Sequence, residues 1–145
     1  MTKELTIDAF PAFCRERGLK CTAQRMAVFA AVRESESHPS VDDTLAAVRK
    51  TVPTVTRDSV YRILNEFSSL GLLARLDALQ AARYDTRMGP HAHFICEECG
   101  AVFDYPIGAA PAIPDGMPSV RRHVELRVTG LCDRCAAASA RKIAC

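Results

Sequence analysis

Two cysteine pairs at the same spacing, Cys96-x-x-Cys99 and Cys132-x-x-Cys135, constrain this chain more than any other feature. Two residues between cysteines let both thiolates of a pair reach one ion from a tight turn, and four thiolates complete a tetrahedral shell. A shell filled in this way holds a fold together and leaves no position for a reactant. The part of the chain that carries it is therefore expected to need metal in order to fold. Zinc suits the four sulfurs; a rubredoxin-like iron centre uses the same ligands, and spacing alone does not separate the two. The 32 residues between the pairs exceed the common ribbon spacing and leave room for strands. Two unrelated redox or buried pairs are the weaker alternative, because clustered cysteines in a reducing compartment point to metal or redox chemistry rather than to disulfides. Of the other three cysteines, Cys14 shares a helical face with Phe10 and reads as a small core residue. Cys21 and Cys145 have no partner by spacing and are assigned no role.

A length of 145 residues suits one domain or two very small ones. With 48% hydrophobic and 25% charged residues the chain has the balance of a globular protein, which excludes a disordered one. No apolar run approaches the ~18 residues of a membrane span. The start, MTKELTIDAF, lacks the apolar stretch of a secretory leader, so a cytoplasmic location without membrane association is expected. The formal charge of +2 is no argument for nucleic acid: up to Tyr84 there are 12 basic and 10 acidic residues, and beyond it 7 of each. Any DNA-binding function has to come from motifs.

The first half has helical periodicity. Residues 5–17 place Leu5, Ala9, Phe13 and Ile7, Phe10, Cys14 at helical intervals, with the regular part starting near Pro11. Thr22 is an N-cap for a second helix with Met26, Phe29 and Val32. Ser40 caps a third, in which Asp42 and Asp43 occupy the first turn and Val41, Leu45 and Val48 form the stripe. After Pro53, Thr56 starts a fourth with Val60, Ile63, Leu64, Phe67 and Leu70 on one face and Asp58, Tyr61, Arg62 and Asn65 on the other; Gly71 ends it. Strands are expected at Leu72–Asp77 and Ala81–Thr86. Short helices followed by a hairpin make a winged helix-turn-helix pattern. Beyond Asp85 the composition changes. Strands are expected around Phe94–Cys96, Ala101–Tyr105 and His123–Thr129, and a short Ala-rich helix over Cys132–Ala144.

A second constellation combines histidine and carboxylate. His91-x-His93 on a strand puts both rings on one face, since side chains alternate with period two. Asp85 precedes them, Asp104 follows the first cysteine pair, and His38 stands in the loop before the third helix. Nitrogen and oxygen donors without sulfur suit Fe(II), Mn(II) or Zn(II), and five of them leave one coordination position open.

The segments LKCTAQRMAVF (19–29), SHPSVDD (37–43), TRDSVYRILNEFSSLGLL (56–73) and HAHFICEECGAVFD (91–104), in this order, resemble the ferric uptake regulator family. The resemblance implies an α+β fold: a winged-helix DNA-binding domain over 1–84, then a small α/β metal-binding and dimerisation domain over 85–145. It implies a metal-dependent homodimeric repressor of double-stranded operator DNA, not an enzyme. Within the family the likeness is to the peroxide-responsive repressors, whose regulatory metal is held by three histidines and two aspartates. Those positions fall on His38, Asp85, His91, His93 and Asp104, with Fe(II) or Mn(II) implied. The iron-responsive branch usually has glutamate near Asp85 and Asp104 and a longer histidine run. Here Pro90 and Ala92 stand in that run and offer no ligand, so that branch's additional site is expected to be absent and His123 to be structural. The structural zinc, one per subunit, maps to Cys96, Cys99, Cys132 and Cys135.

The resemblance further implies DNA contacts from Lys20, Ser59, Tyr61 and Arg62, and oxidation of His38 or His91 by peroxide with release of metal and DNA. Asp58 departs from this pattern, because a carboxylate near phosphates is unfavourable unless Arg57 or Arg62 pairs with it. The nearest alternative function is an iron-availability repressor of the same fold; a zinc-uptake regulator lacks a spare cysteine near the histidines. A small non-haem iron enzyme and a zinc-ribbon carrier or interaction module are further alternatives, the last leaving the fourth helix unexplained.

Overall fold

The computed structural model describes residues 5–78, 81–86, 91–108, 112–120 and 124–143. The chain divides into two compact units, Met1–Met88 and Gly89–Cys145. His123, Cys145 and Pro90 lie outside the described residues, as do parts of the expected hairpin turn and of the connection after Pro106.

In the first unit four helices precede a hairpin: α1 (Phe10–Glu16), α2 (Ala23–Glu34), α3 (Val41–Val48), α4 (Arg57–Ser69), β1 (Ala74–Asp77) and β2 (Ala82–Asp85). Their starts follow from cap chemistry. The Thr22, Ser40 and Thr56 hydroxyls accept from the amides of Arg25, Asp43 and Ser59, satisfying donors that the helix leaves open. At α3 the cap is reciprocal, since the Asp43 carboxylate also accepts from the Ser40 amide at 2.9 Å. The α4 chain reverses at Gly71, whose φ of 74° is the left-handed conformation that a residue with Cβ rarely adopts.

The core of this unit is aromatic. The Phe10 ring stacks on Phe29 with centroids 4.4 Å apart, and Phe67 meets both edge-on, at 5.5 Å from Phe10 and 6.2 Å from Phe29. Cys14, Val28, Val60 and Leu64 complete it, each fully buried. Cys14 is thus a core residue. The apolar face of α4 is buried here, and Tyr61 and Arg62 are left exposed.

The second unit is a three-stranded sheet in the order β4–β3–β5, with β3 (His91–Cys96), β4 (Val102–Pro106) and β5 (Leu126–Gly130), followed by helix α5 (Asp133–Ile143). The last strand begins three residues later than the alternation of Val124, Leu126 and Val128 suggests, because pairing with β3 starts only at Ala92↔Leu126. Directly paired residues share a face. His91, His93 and Ile95 therefore lie with Asp104, Val102, Arg127 and Thr129, and Ala92 and Phe94 lie with Tyr105, Phe103, Leu126 and Val128. One face carries the histidines and carboxylate, the other is apolar. On that apolar face Phe103, Tyr105, Leu126 and Val128 are exposed.

Candidate functional site

The cysteine quartet is assembled by the ends of β3 and β5. Cys96 closes β3, and the chain turns back at once: the Gly100 amide donates to the Cys96 carbonyl at 2.9 Å, and Gly100 takes φ 71°. The Glu97 amide donates to the Gly130 carbonyl at 2.8 Å, which brings the second pair alongside. Cys132 precedes α5 and Cys135 lies in its first turn. The four Sγ atoms are all within 4.8 Å of one another, and Cys99 and Cys132 are 3.9 Å apart. Zn–S bonds of about 2.3 Å at tetrahedral angles give an S–S edge of about 3.8 Å, so the donor set fits zinc in size as well as in chemistry. The Cys132 amide donates to Cys96 Sγ at 3.3 Å. Such amide donors, Cys132 first and Cys99 next, pull the Cys96 thiol down to about 6. Cys135 goes the other way, to about 12, because Cys132 Sγ accepts its proton and burial and the other thiols disfavour its charge. Four sulfurs this close cannot all ionise without a cation between them. The Arg134 guanidinium lies close enough to Cys99 to offset part of the charge.

The histidine and carboxylate residues fall into two groups, one in each unit. In the first unit β2 positions them. The Tyr84 amide donates to the Pro39 carbonyl at 3.1 Å, and Arg83 Nη1 donates to the His38 carbonyl at 3.3 Å. These bonds hold the loop before α3 against the strand, and His38 Nε2 comes to 3.6 Å from Asp85 Oδ2 with both side chains buried. Asp85 is the last residue of β2 and belongs to this unit. In the second unit period two brings His91 and His93 together with Nε2 atoms 3.0 Å apart. Asp104, paired directly with His93 across β3 and β4, places Oδ1 3.4 Å from His93 Nε2 and 4.0 Å from His91 Nε2. Metal–nitrogen bonds of about 2.1 Å at right angles span about 3.0 Å, so His91 and His93 sit at the separation of neighbours in one coordination shell and Asp104 lies close to His93. Each group offers nitrogen and oxygen only, a donor chemistry that suits iron, manganese or zinc.

Among the DNA-contact candidates, Lys20 is exposed in the loop before α2, and its carbonyl accepts from Arg25 Nη1 at 2.9 Å. Arg25 also grips Glu66 on α4 with two nitrogens, at 2.9 and 3.1 Å, so one guanidinium fixes the Lys20 loop to the fourth helix. Arg75 on β1 donates to Asn65 on α4 at 3.1 Å, close by Tyr61. The Ser59 hydroxyl accepts from Thr56 at 2.9 Å and is committed to the cap. Asp58 pairs with Arg62 at 3.6 Å, while Arg57 pairs with Asp42 at 2.7 Å. Arg25 and Arg75 have no local sequence signal, since both act across elements.

A winged helix-turn-helix unit followed by a cysteine-bearing metal-binding sheet defines the class: a metal-dependent DNA-binding regulator. Residues 16–108 match the model of the Ferric uptake regulator family, and the chain belongs to that family. It is 37% identical over 108 residues to ferric uptake regulation protein 1 of Mycolicibacterium fortuitum, covering 72% of this chain and 66% of that protein. It is 26% identical over 129 residues to the peroxide-responsive repressor PerR of Staphylococcus epidermidis, covering 86% of each. The fold is similar to that of the Helicobacter pylori ferric uptake regulator, with TM-score 0.72 at 22% identity over 94% of this chain and 97% of that one. The chain is thus a metal-responsive transcriptional repressor of this family.

Proposed function

We propose that this protein is a homodimeric repressor of operator DNA that senses peroxide through a regulatory Fe(II) or Mn(II) held by His38, Asp85, His91, His93 and Asp104. The single observation that carries this reading is the donor set. Aspartate, not glutamate, stands at both carboxylate positions, each a few ångströms from a buried histidine Nε2. Because His38 and Asp85 belong to one compact unit and His91, His93 and Asp104 to the other, binding one ion through all five ties the DNA-binding and dimerisation units into a single arrangement. In a dimer that arrangement sets the separation of the two α4 helices, which has to match half-sites about one helical turn apart.

The contributions of this chain's residues follow from that. Lys20, Tyr61 and Arg62 face phosphate and groove, and Ser59 contributes through the cap of α4. Held by these residues, Fe(II) would activate peroxide beside the ligand rings, where one peroxide oxygen would pass to a ring carbon and the other would leave as water. His38 and His91 are the rings exposed to that chemistry; gain of one oxygen atom by either ring weakens it as a donor and releases the units from each other. The apolar sheet face of Phe103, Tyr105, Leu126 and Val128, with an adjoining groove of about 860 Å³ reaching Leu131 and Arg134, supports dimerisation through this unit.

An iron-availability repressor is the second reading, favoured by the higher identity to the ferric uptake regulation protein of Mycolicibacterium fortuitum. Fluorescence anisotropy with DNA from upstream of this protein's own gene separates the two. Zinc-replete protein is loaded anaerobically with Fe(II), given stoichiometric peroxide, and compared with Mn(II)-loaded protein. Loss of binding with iron alone, together with an oxygen atom gained on His38 or His91 by peptide mass spectrometry, is the expected result. Retained binding and unmodified histidines would transfer the protein to the iron-availability reading.

A further inference from the structure

The two nitrogens of the His93 ring face different carboxylates. Nε2 lies 3.4 Å from Asp104 Oδ1 and 3.0 Å from His91 Nε2. Nδ1, on the opposite edge of the ring, lies 3.7 Å from Glu125 Oε1. A neutral imidazole has one lone pair to give, at one nitrogen, while the other nitrogen carries the proton. Nε2 is the atom that meets the other donors, so Glu125 stands behind the ring and outside any shell that Nε2 joins. Its place is set by the sheet. Glu125 and Arg127 are two residues apart, Arg127 pairs directly with His93 across β3 and β5, and Arg127 Nε donates to Glu125 Oε1 at 3.2 Å.

We propose that Glu125 is a positioning residue of the regulatory site: its carboxylate accepts the Nδ1 proton of His93, fixes the tautomer that presents the Nε2 lone pair, and is itself anchored by Arg127. The inference rests on His93 being a ligand, as in the function proposed above. At 3.7 Å the contact is longer than a hydrogen bond, and it would close to one if the ring turned about Cβ–Cγ as Nε2 is drawn toward a cation. Outer partners of this kind orient the ring and raise its basicity as a ligand, and their loss typically lowers metal affinity by about 10–100-fold. Glu125 is partly open to solvent, so its replacement leaves no buried hole.

The test uses the full-length, zinc-replete protein and two readouts. The His93 tautomer is read by long-range ¹⁵N–¹H NMR before any second metal is added. Mn(II) affinity is then read from the free-ion EPR signal for the unchanged protein, Glu125→Ala, Glu125→Gln and His93→Ala, with zinc content measured in each. The expected result is a proton on Nδ1 in the unchanged protein and a loss of about 10–100-fold in Mn(II) affinity for Glu125→Ala. Glu125→Gln, which keeps an acceptor oxygen, loses less. A proton on Nε2 in the unchanged protein, or undiminished Mn(II) affinity in Glu125→Ala while His93→Ala loses it, overturns the role of Glu125 alone. Undiminished affinity in His93→Ala overturns the ligand assignment and this inference with it.

Discussion

The two units reach stability by different means. The first buries an interlocked set of side chains, Phe10, Phe29, Phe67, Val28, Val60 and Leu64 among them, all nearly inaccessible. In the second, among the described residues, the buried apolar positions are Ala92, Ile95, Cys96 and Cys135, and two of those belong to the cysteine quartet. On its apolar sheet face Phe103, Tyr105, Leu126 and Val128 are exposed. A unit of this size has too little surface to hide for a core of its own, and a metal and a partner copy are the usual remedies. The difference suits the proposed sensor, in which the first unit, with its own core, would read DNA and the second would be built around metal.

The contrast is broken most severely by removing the structural zinc. Cys99→Ser is expected to abolish hydrogen-exchange protection in β3, β4, β5 and α5 while α1 to α4 remain protected, because structural zinc contributes an apparent 10–16 kcal/mol or about that much, more than the stability of a small domain. Exchange mass spectrometry resolves the two units, and surviving protection in the sheet would show that the unit has a core after all. The reverse pattern is expected of Phe67→Ala. Truncating the centre of the aromatic cluster costs about 3–5 kcal/mol and should melt the first unit while the chain keeps one zinc, measured by circular dichroism and a zinc assay.

A smaller effect sharpens the role of the exposed sheet face. Val128→Arg should weaken self-association by about 2 kcal/mol or more, seen by sedimentation equilibrium, with zinc content and first-unit stability unchanged. The smallest is confined to one helix cap. Ser40→Ala should destabilise the first unit by about 1 kcal/mol at neutral pH. The amide and hydroxyl of Ser40 hold the Asp43 carboxyl below its ordinary value, so its contribution is present above the unfolded value near 4 and lost as the pH falls toward the folded one. The difference between Ser40→Ala and the unchanged protein should therefore shrink below about pH 4 in urea titrations.

Features written in neighbouring residues were legible in the sequence. Thr22, Ser40 and Thr56 announce three helices because a cap bonds to amides two or three residues on. The cysteine pairs announce their site because each fits one turn, and His91 and His93 share a face by alternation. Features that depend on register or distant elements were not legible. The start of β5 is set by its parallel pairing with β3, not by the alternation of Val124 and Leu126. Period two tells which of Phe103, Tyr105 and Val128 share a face, but not whether anything covers it. The grip of Arg25 on Glu66, 41 residues away, and the approach of Glu125 to His93 come from tertiary pairing alone.

The central claim is that one ion, ligated by residues of both units, creates the DNA-competent arrangement. The most direct test is the DNA affinity of zinc-replete protein with and without Mn(II), for the unchanged chain and for His38→Ala and His93→Ala. The account predicts that Mn(II) strengthens binding of the unchanged protein by a factor of about 5–150 and strengthens neither variant, although one variant is altered in each unit. Equal binding with and without Mn(II), or an undiminished Mn(II) response in either variant, would contradict it.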